Sequence, residues 1–201
     1  MKLYFSPGAC SLSPHIVCRE AGLAPELVKV DLRTKQTEHG DDYFQINPNG
    51  YVPALAMDDG SILTEGPAIV QYLADQVPEK RLAPPNGTME RYRLQSLLNF
   101  ISSELHKSMG VFFNPNANAE WKEAVTGLLG RRLGYVNDLL AQHPFALGSD
   151  FTVADAYLFT ILSWSKPLKI DLSPWPRLGD YLDRIAARPA VQEARRAEGL
   201  L

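Results

Sequence analysis

Between residues 77 and 87 the chain reads VPEKRLAPPNG, and this stretch rules out a single continuous fold pattern. Its prolines lack the N–H that a helix or central strand needs, so no regular element runs through it. Before it, short apolar runs with period two alternate with short helical runs. After it, every segment carries apolar residues at 3.6-type spacing, broken only by Pro and Gly. The expected architecture is therefore a small α/β domain over residues 1–80 followed by an all-helical domain over residues 88–201.

The first half can be read in more detail. Residues 2–6 form a strand pattern, 11–21 a helix stopped by Gly22, and 27–31 a second strand. Residues 41–46 suit one or two helical turns, closed by the turn-rich NPNG at 47–50. The run VPALAMDDGSILTE then reads as a hairpin around Asp59-Gly60. Pro67 sits where a first-turn proline starts a helix. The order β-α-β-α-β-β-α implies a mixed sheet. Beyond the connector, helices are expected near 88–110, 119–142, 152–166, 174–187 and 190–197.

Of the 201 residues, 45% are hydrophobic and 21% charged, enough to bury a core. A net charge of −3 leaves no broad basic surface for nucleic acid or an anionic membrane. No apolar run approaches the ~18 residues of a membrane span, and Met1-Lys2 leads straight into strand pattern, unlike a signal peptide. Two cysteines, Cys10 and Cys18, are too few for a disulfide framework, so a reducing cytoplasm is the expected setting. The four histidines show no ligand spacing with each other or with Cys10, and no metal site is expected.

Four places can carry chemistry. Cys10 stands where the first strand hands over to a helix N-terminus. If Ser11 or Ser13 caps that helix, unpaired N–H groups and the helix dipole lower the thiol pKa; the alternative is a small buried hydrophobe. Cys18, among Ile16, Val17 and Ala21, reads as a core thiol. Val52-Pro53 opens a strand after a glycine turn, a place for a cis peptide and for backbone pairing with an extended peptide ligand; the alternative, which the local sequence favours, is a plain loop-to-strand junction. Glu65-Gly66 at a helix start offers a carboxylate for an ammonium group and open N–H groups for an anion. In LNFISSELHKSMG, Asn99, Ser103 and His106 fall at i, i+4 and i+7 and share a face. That face matters if it looks toward Cys10, because an imidazole can hydrogen-bond a thiolate. FTVADAYLF reads as a structural capping box, Thr152 with Asp155.

With these pieces in order, the chain resembles the cytosolic glutathione S-transferases, most closely their bacterial beta class. FSPGACSLSPHI, NPNGYVPAL, LTEGPAIVQYLAD, SSELHK and FTVADAYLF carry the resemblance, in the same order and spacing and over essentially the full length. It implies a thioredoxin-like N-terminal domain that binds glutathione and an all-α C-terminal domain that holds a hydrophobic electrophile. It also implies a cytoplasmic homodimer, with glutathione as co-substrate. Pro53 would be the cis-proline, with the backbone of Val52 pairing with the cysteinyl part of glutathione. Glu65 and the N–H of Gly66 would hold the γ-glutamyl ammonium and carboxylate, and Lys35 the glycyl carboxylate. Asn99, Ser103, Glu104 and His106 match the helical contacts, some of which come from a partner subunit. The catalytic candidates are Cys10 and His106.

The chain departs from the wider superfamily in two ways. Many classes have serine where Gly66 stands, and many activate glutathione with tyrosine or serine, for which Tyr4 and Ser11 are the nearest hydroxyls. A cysteine beside bound glutathione sets thiol transfer or reductive dehalogenation beside simple conjugation. A non-catalytic binding module on the same fold is the remaining alternative. The electrophile pocket is expected around the first-helix loop, residues 109–113 and Trp164.

Overall fold

The computed structural model describes Met1–Leu201. In the first part of the chain, β1 (Lys2–Phe5) leads through a tight turn into α1 (Leu12–Ala21), which returns to β2 (Glu26–Asp31). Strand β1 runs parallel to β2, Leu3 opposite Leu27, as a helical crossover requires. Gly22 ends α1 at φ 73°, a left-handed cap that glycine adopts without steric cost. The hairpin forms as β4 (Ala54–Ala56) and β5 (Ile62–Thr64), antiparallel, with Leu55 opposite Leu63. Helix α2 (Gly66–Asp75) follows, with Pro67 in its first turn.

The sheet has five strands in the order β3-β2-β1-β4-β5, and the pattern reading found only four of them. The missing strand is β3 (Gln36–Thr37), two residues held against the end of β2, too short to show any alternation. Leu3, Val28, Val30, Ala54 and Leu55 are buried at the centre of the sheet, and Ile16, Val17, Ile69, Val70 and Leu73 bury the apolar faces of α1 and α2.

After the connector come α3 (Met89–Phe100), α4 (Lys107–Phe113), α5 (Ala119–Leu139), α6 (Val153–Ser163), α7 (Ser165–Leu168), α8 (Pro176–Ala186) and α9 (Pro189–Ala197). The expected single helix over 88–110 is instead two α-helices joined by a π-helical turn, Ile101–His106. Two compact units emerge, Met1–Ala83 with Ala187–Leu201, and Pro84–Ala186. The first division, between Ala83 and Pro84, falls within the proline-rich run 77–87. Helix α9, expected within the helical domain, belongs with the α/β unit, because it packs on α1 and Arg188 clasps Glu20 through Nε at 2.6 Å and a terminal nitrogen at 2.9 Å. No helix is long and apolar enough to cross a membrane.

Within the second unit, α6 is buried along almost its whole length, and its start is fixed by Asp155. One carboxylate oxygen accepts from the N–H of Thr152 (2.9 Å) and its hydroxyl (3.1 Å). The other accepts from the N–H of Ala146 (2.8 Å) and the hydroxyl of Tyr181 on α8 (2.9 Å). The capping box is therefore also a tie between three segments. Asp155→Ala strands four buried donors, and we expect a loss of about 2–4 kcal/mol, beyond the ~1 kcal/mol of an ordinary cap. Urea denaturation checks this, and an unchanged midpoint contradicts it.

Candidate functional site

In the first unit, the turn from Ser6 to Ser11 presents Cys10. The N–H of Ala9 donates to the Ser6 carbonyl at 3.0 Å. The Ser11 hydroxyl, fully buried, donates to the Ser6 carbonyl at 3.2 Å and accepts from the Ser6 N–H at 3.1 Å. The Ser13 hydroxyl donates to the carbonyl of Cys10 at 2.8 Å. Neither serine side chain caps α1, contrary to expectation: both are used to tighten the turn. Ser11 is thereby removed as an activating hydroxyl, and Tyr4 packs its ring against Tyr43 with centroids 5.6 Å apart.

A carboxylate from the far end of the chain completes this turn. Glu198 follows α9 directly, and its two oxygens lie 2.9 Å from the N–H of Gly8 and 2.9 Å from Nδ1 of His15. Both the His15 and Glu198 side chains are essentially inaccessible to water. No sequence spacing pointed to Glu198; a lone buried glutamate near a terminus carries no local signal.

The thiol of Cys10 donates to the carbonyl of Val52 at 3.1 Å. The Val52-Pro53 bond is cis, as the resemblance implies. The carbonyl of the preceding residue, Tyr51, is pinned by the Tyr43 hydroxyl (2.8 Å) and the Asn47 side-chain amide (2.7 Å). Tyr43, Val52, Val30 and Ala54 pack together, so the loop rests on buried apolar surface. The Val52 carbonyl is thus already engaged, while its N–H has no partner within the chain.

Burial reverses the expected acidity of Cys10. Removing the sulfur from water disfavours its charged form and pushes the thiol up to about 12, the N–H groups of Cys10 and Ser11 pull it down less, and the Glu65 carboxylate adds to the rise. Cys10 is therefore a neutral S–H donor in the unliganded protein, which favours the buried alternative over the low-pKa thiol. Cys18 is a fully buried core thiol, also pushed up to about 12 by burial.

The other expected contacts gather around the same loop. Lys35, with φ 58°, donates from Nζ to the carbonyl of Gly50 at 2.9 Å, two residues before Val52. An ammonium has three donors, so two are left for an anion. Glu65 precedes α2 at φ 68° and ψ 113°, a sparsely populated conformation that costs on the order of 1–3 kcal/mol and tends to be kept at ligand sites. Its carbonyl takes the N–H groups of Ala68 and Ile69, both at 3.0 Å. Pro67 has no N–H, so Gly66 supplies the one open donor of the first turn. A Cβ on Gly66 would lie 3.9 Å from Pro53, so this donor sits against the cis-proline with room for a side chain.

In the second unit, the π-helical turn separates residues that a regular helix would align. The N–H of Lys107 reaches back five residues to the Ser102 carbonyl. Asn99 and Ser103 remain exposed, linked by the Ser103 hydroxyl donating to the Asn99 carbonyl at 2.9 Å. Glu104 accepts from Arg132 of α5 at 2.6 Å. His106 turns inward, its Nδ1 2.8 Å from the Tyr157 hydroxyl of α6 and its ring edge-on to Trp164 at 4.9 Å. The shared face expected for Asn99, Ser103 and His106 is thus broken by the wider turn. Phe113 packs edge-on to Trp164 at 5.3 Å, completing an aromatic cluster, whereas Met109 is fully buried and lines no surface. No group of three or more His, Cys, Asp or Glu stands together to hold a metal ion.

Burial, aided by the Lys107 charge, pulls His106 down to about 4, so its ring is neutral at pH 7. The unfolded ring protonates near 6.5. His106 therefore contributes stability that is fully present above about pH 6.5 and lost as pH falls toward 4. The unfolding free energy of the wild type is expected to fall more steeply from about pH 6.5 to 4.5 than that of His106→Gln; parallel curves contradict this. With the Cys10 thiol near 12, alkylation by iodoacetamide without ligand should rise about tenfold per pH unit from 7 to 9. A plateau in that range, absent in Cys10→Ser, contradicts a neutral thiol.

Comparison with known proteins gives a consistent result. The glutathione S-transferase N-terminal domain family model matches residues 8–76, and the C-terminal domain model matches residues 100–189. The chain is 48% identical over 200 residues to glutathione S-transferase GstA of Escherichia coli O157:H7, covering 100% of both. Among solved structures it is 62% identical, with TM-score 0.98 and full coverage of both chains, to the ternary complex of BphK, a bacterial GST. It is 50% identical, with TM-score 0.96 and full coverage of both, to the bacterial beta class glutathione S-transferase of Sphingomonas chungbukensis. The chain belongs to the glutathione S-transferase family and is a transferase of the bacterial beta-class type.

Proposed function

We propose that the chain conjugates glutathione to hydrophobic electrophiles, with the sulfur of glutathione, not that of Cys10, as the nucleophile. The observation that carries this reading is the hydrogen bond from the Cys10 thiol to the carbonyl before the cis-proline, and burial of the sulfur pushes its pKa the same way. A free thiol of ordinary acidity, near 8.5, ionises more than three pH units before a group pushed up to about 12. The charge then rests on glutathione, and Cys10 S–H stabilises it by turning its single proton from the Val52 carbonyl to the bound sulfur. The same neutrality counts against thiol–disulfide exchange and reductive dehalogenation through Cys10, both of which need its thiolate.

The grip follows from the α/β unit. The unpaired Val52 N–H suits the carbonyl of the cysteinyl part of glutathione, by strand-like pairing. Gly66 N–H, at the positive end of α2, suits the γ-glutamyl carboxylate, and Glu65 its ammonium. Lys35, with donors to spare, suits the glycyl carboxylate. For the helical unit we assign His106, Phe113 and Trp164 to an apolar, aromatic electrophile. Asn99, Ser103 and Glu104 add polar contacts, some of them to a ligand of the second copy in a cytoplasmic homodimer. The exposed Phe44 and Tyr51, 45% and 68% accessible, support an apolar interface of that kind.

Glu65→Gln keeps the shape but removes the charge that pairs with the ammonium. Isothermal titration with glutathione is expected to show a roughly 10- to 100-fold rise in Kd, the range for a lost charge-assisted hydrogen bond. An unchanged Kd removes Glu65 from the site. A panel of chlorodinitrobenzene-type, haloaliphatic and disulfide substrates, each with and without glutathione, identifies the electrophile class.

A further inference from the structure

Conjugation does not by itself say where the proton on the His106 ring sits, yet that proton decides what the ring can do. A neutral imidazole has one donor nitrogen and one acceptor nitrogen. Nδ1 of His106 lies 2.8 Å from the hydroxyl of Tyr157, a residue only 2% exposed. Tyr157 stands two residues after Asp155, whose carboxylate ties the start of α6 to Ala146 and Tyr181, so the hydroxyl is held on a rigid element. Trp164 also packs edge-on against the imidazole, with centroids 4.9 Å apart, and His106 closes the π-helical turn. The ring therefore has one orientation and one fixed partner.

A phenol donates a hydrogen bond more readily than it accepts one, because its oxygen lone pair is drawn into the ring. An imidazole nitrogen without a proton is a strong acceptor. We propose that Tyr157 is a positioning residue: its hydroxyl donates to Nδ1 of His106 and fixes the tautomer with the proton on Nε2. His106 is then a hydrogen-bond donor toward negative charge that develops during conjugation, not a base that removes the glutathione proton. The ring's depressed basicity agrees, since a group that protonates near 4 is a poor proton acceptor at neutral pH. This also defines the electrophile further: an aromatic or apolar body that fits against Phe113 and Trp164, bearing an oxygen or halogen acceptor for Nε2–H. The inference rests on His106 belonging to the electrophile site, as proposed above.

The test is a long-range proton–nitrogen NMR correlation on the full chain with 15N-labelled histidine at about pH 7.5. Only four histidines are present, and loss of a signal set in His106→Gln assigns its ring. The wild-type ring is expected to show Nε2 protonated and Nδ1 bare. In Tyr157→Phe the two tautomers should mix, and kcat for conjugation should fall about tenfold while KM for glutathione stays within about twofold. A wild-type ring protonated on Nδ1 overturns the proposal, and this reading holds even if Tyr157→Phe does not fold. Tyr157→Phe with a pure Nε2–H tautomer and full kcat overturns it equally. His106→Gln that conjugates at the wild-type rate overturns the assignment of His106 to the site, and does so independently of the tautomer.

Discussion

The hydrogen bond from the Cys10 thiol to the Val52 carbonyl is the contact around which the α/β unit is arranged. Each end depends on separate supports. The cysteine end is a turn cinched by Ser11 onto both backbone groups of Ser6 and buttressed at Gly8 by Glu198. The valine end is a loop whose Tyr51 carbonyl is held twice and whose apolar side rests on Tyr43 and Val30. Antiparallel pairing of β1 with β4, Tyr4 opposite Ala54, brings the end of β1 and the start of β4 together at the same end of the two central strands. The consequence is a half-buried cysteine whose thiol is pushed up by burial. In a glutathione transferase that outcome is useful, since two adjacent thiolates would repel one another and a single charge is better placed on the co-substrate.

The helical unit solves a different problem with similar means. A regular helix from Met89 to Phe113 would place Asn99, Ser103 and His106 on one wet face. The wider π turn leaves Asn99 and Ser103 outside and rotates the imidazole toward α6. Burial then makes the ring neutral, and the Tyr157 hydroxyl limits how it can turn. The rigidity of α6, and hence of Tyr157, comes from Asp155, a residue that touches no part of the proposed site.

Much of this was legible in the sequence because it is local. Gly22, Asp59-Gly60 and Pro67 mark real element boundaries, since each fixes a backbone conformation within a few residues. The cis geometry at Pro53 came only from the family resemblance, because the local sequence favours a plain loop-to-strand junction. Four features were not legible. Strand β3 is too short for alternation. The π-helical turn shifts register without any residue that announces it. The acidity of Cys10 turns on a competition between nearby N–H groups and burial, and burial is set by loops about forty residues away. Glu198 shows the same limit more sharply, because its partners Gly8 and His15 lie 190 and 183 residues earlier in the chain.

The central claim is that glutathione, and not Cys10, carries the negative charge in the complex. Carbon NMR of the cysteine Cβ reads this directly, with 13C placed once in the protein cysteines and once in bound glutathione, across a pH titration. Bound glutathione is expected to titrate to thiolate near neutral pH while the Cys10 signal stays that of a thiol beyond pH 9. If Cys10 ionises first and the glutathione signal stays protonated, the account is wrong.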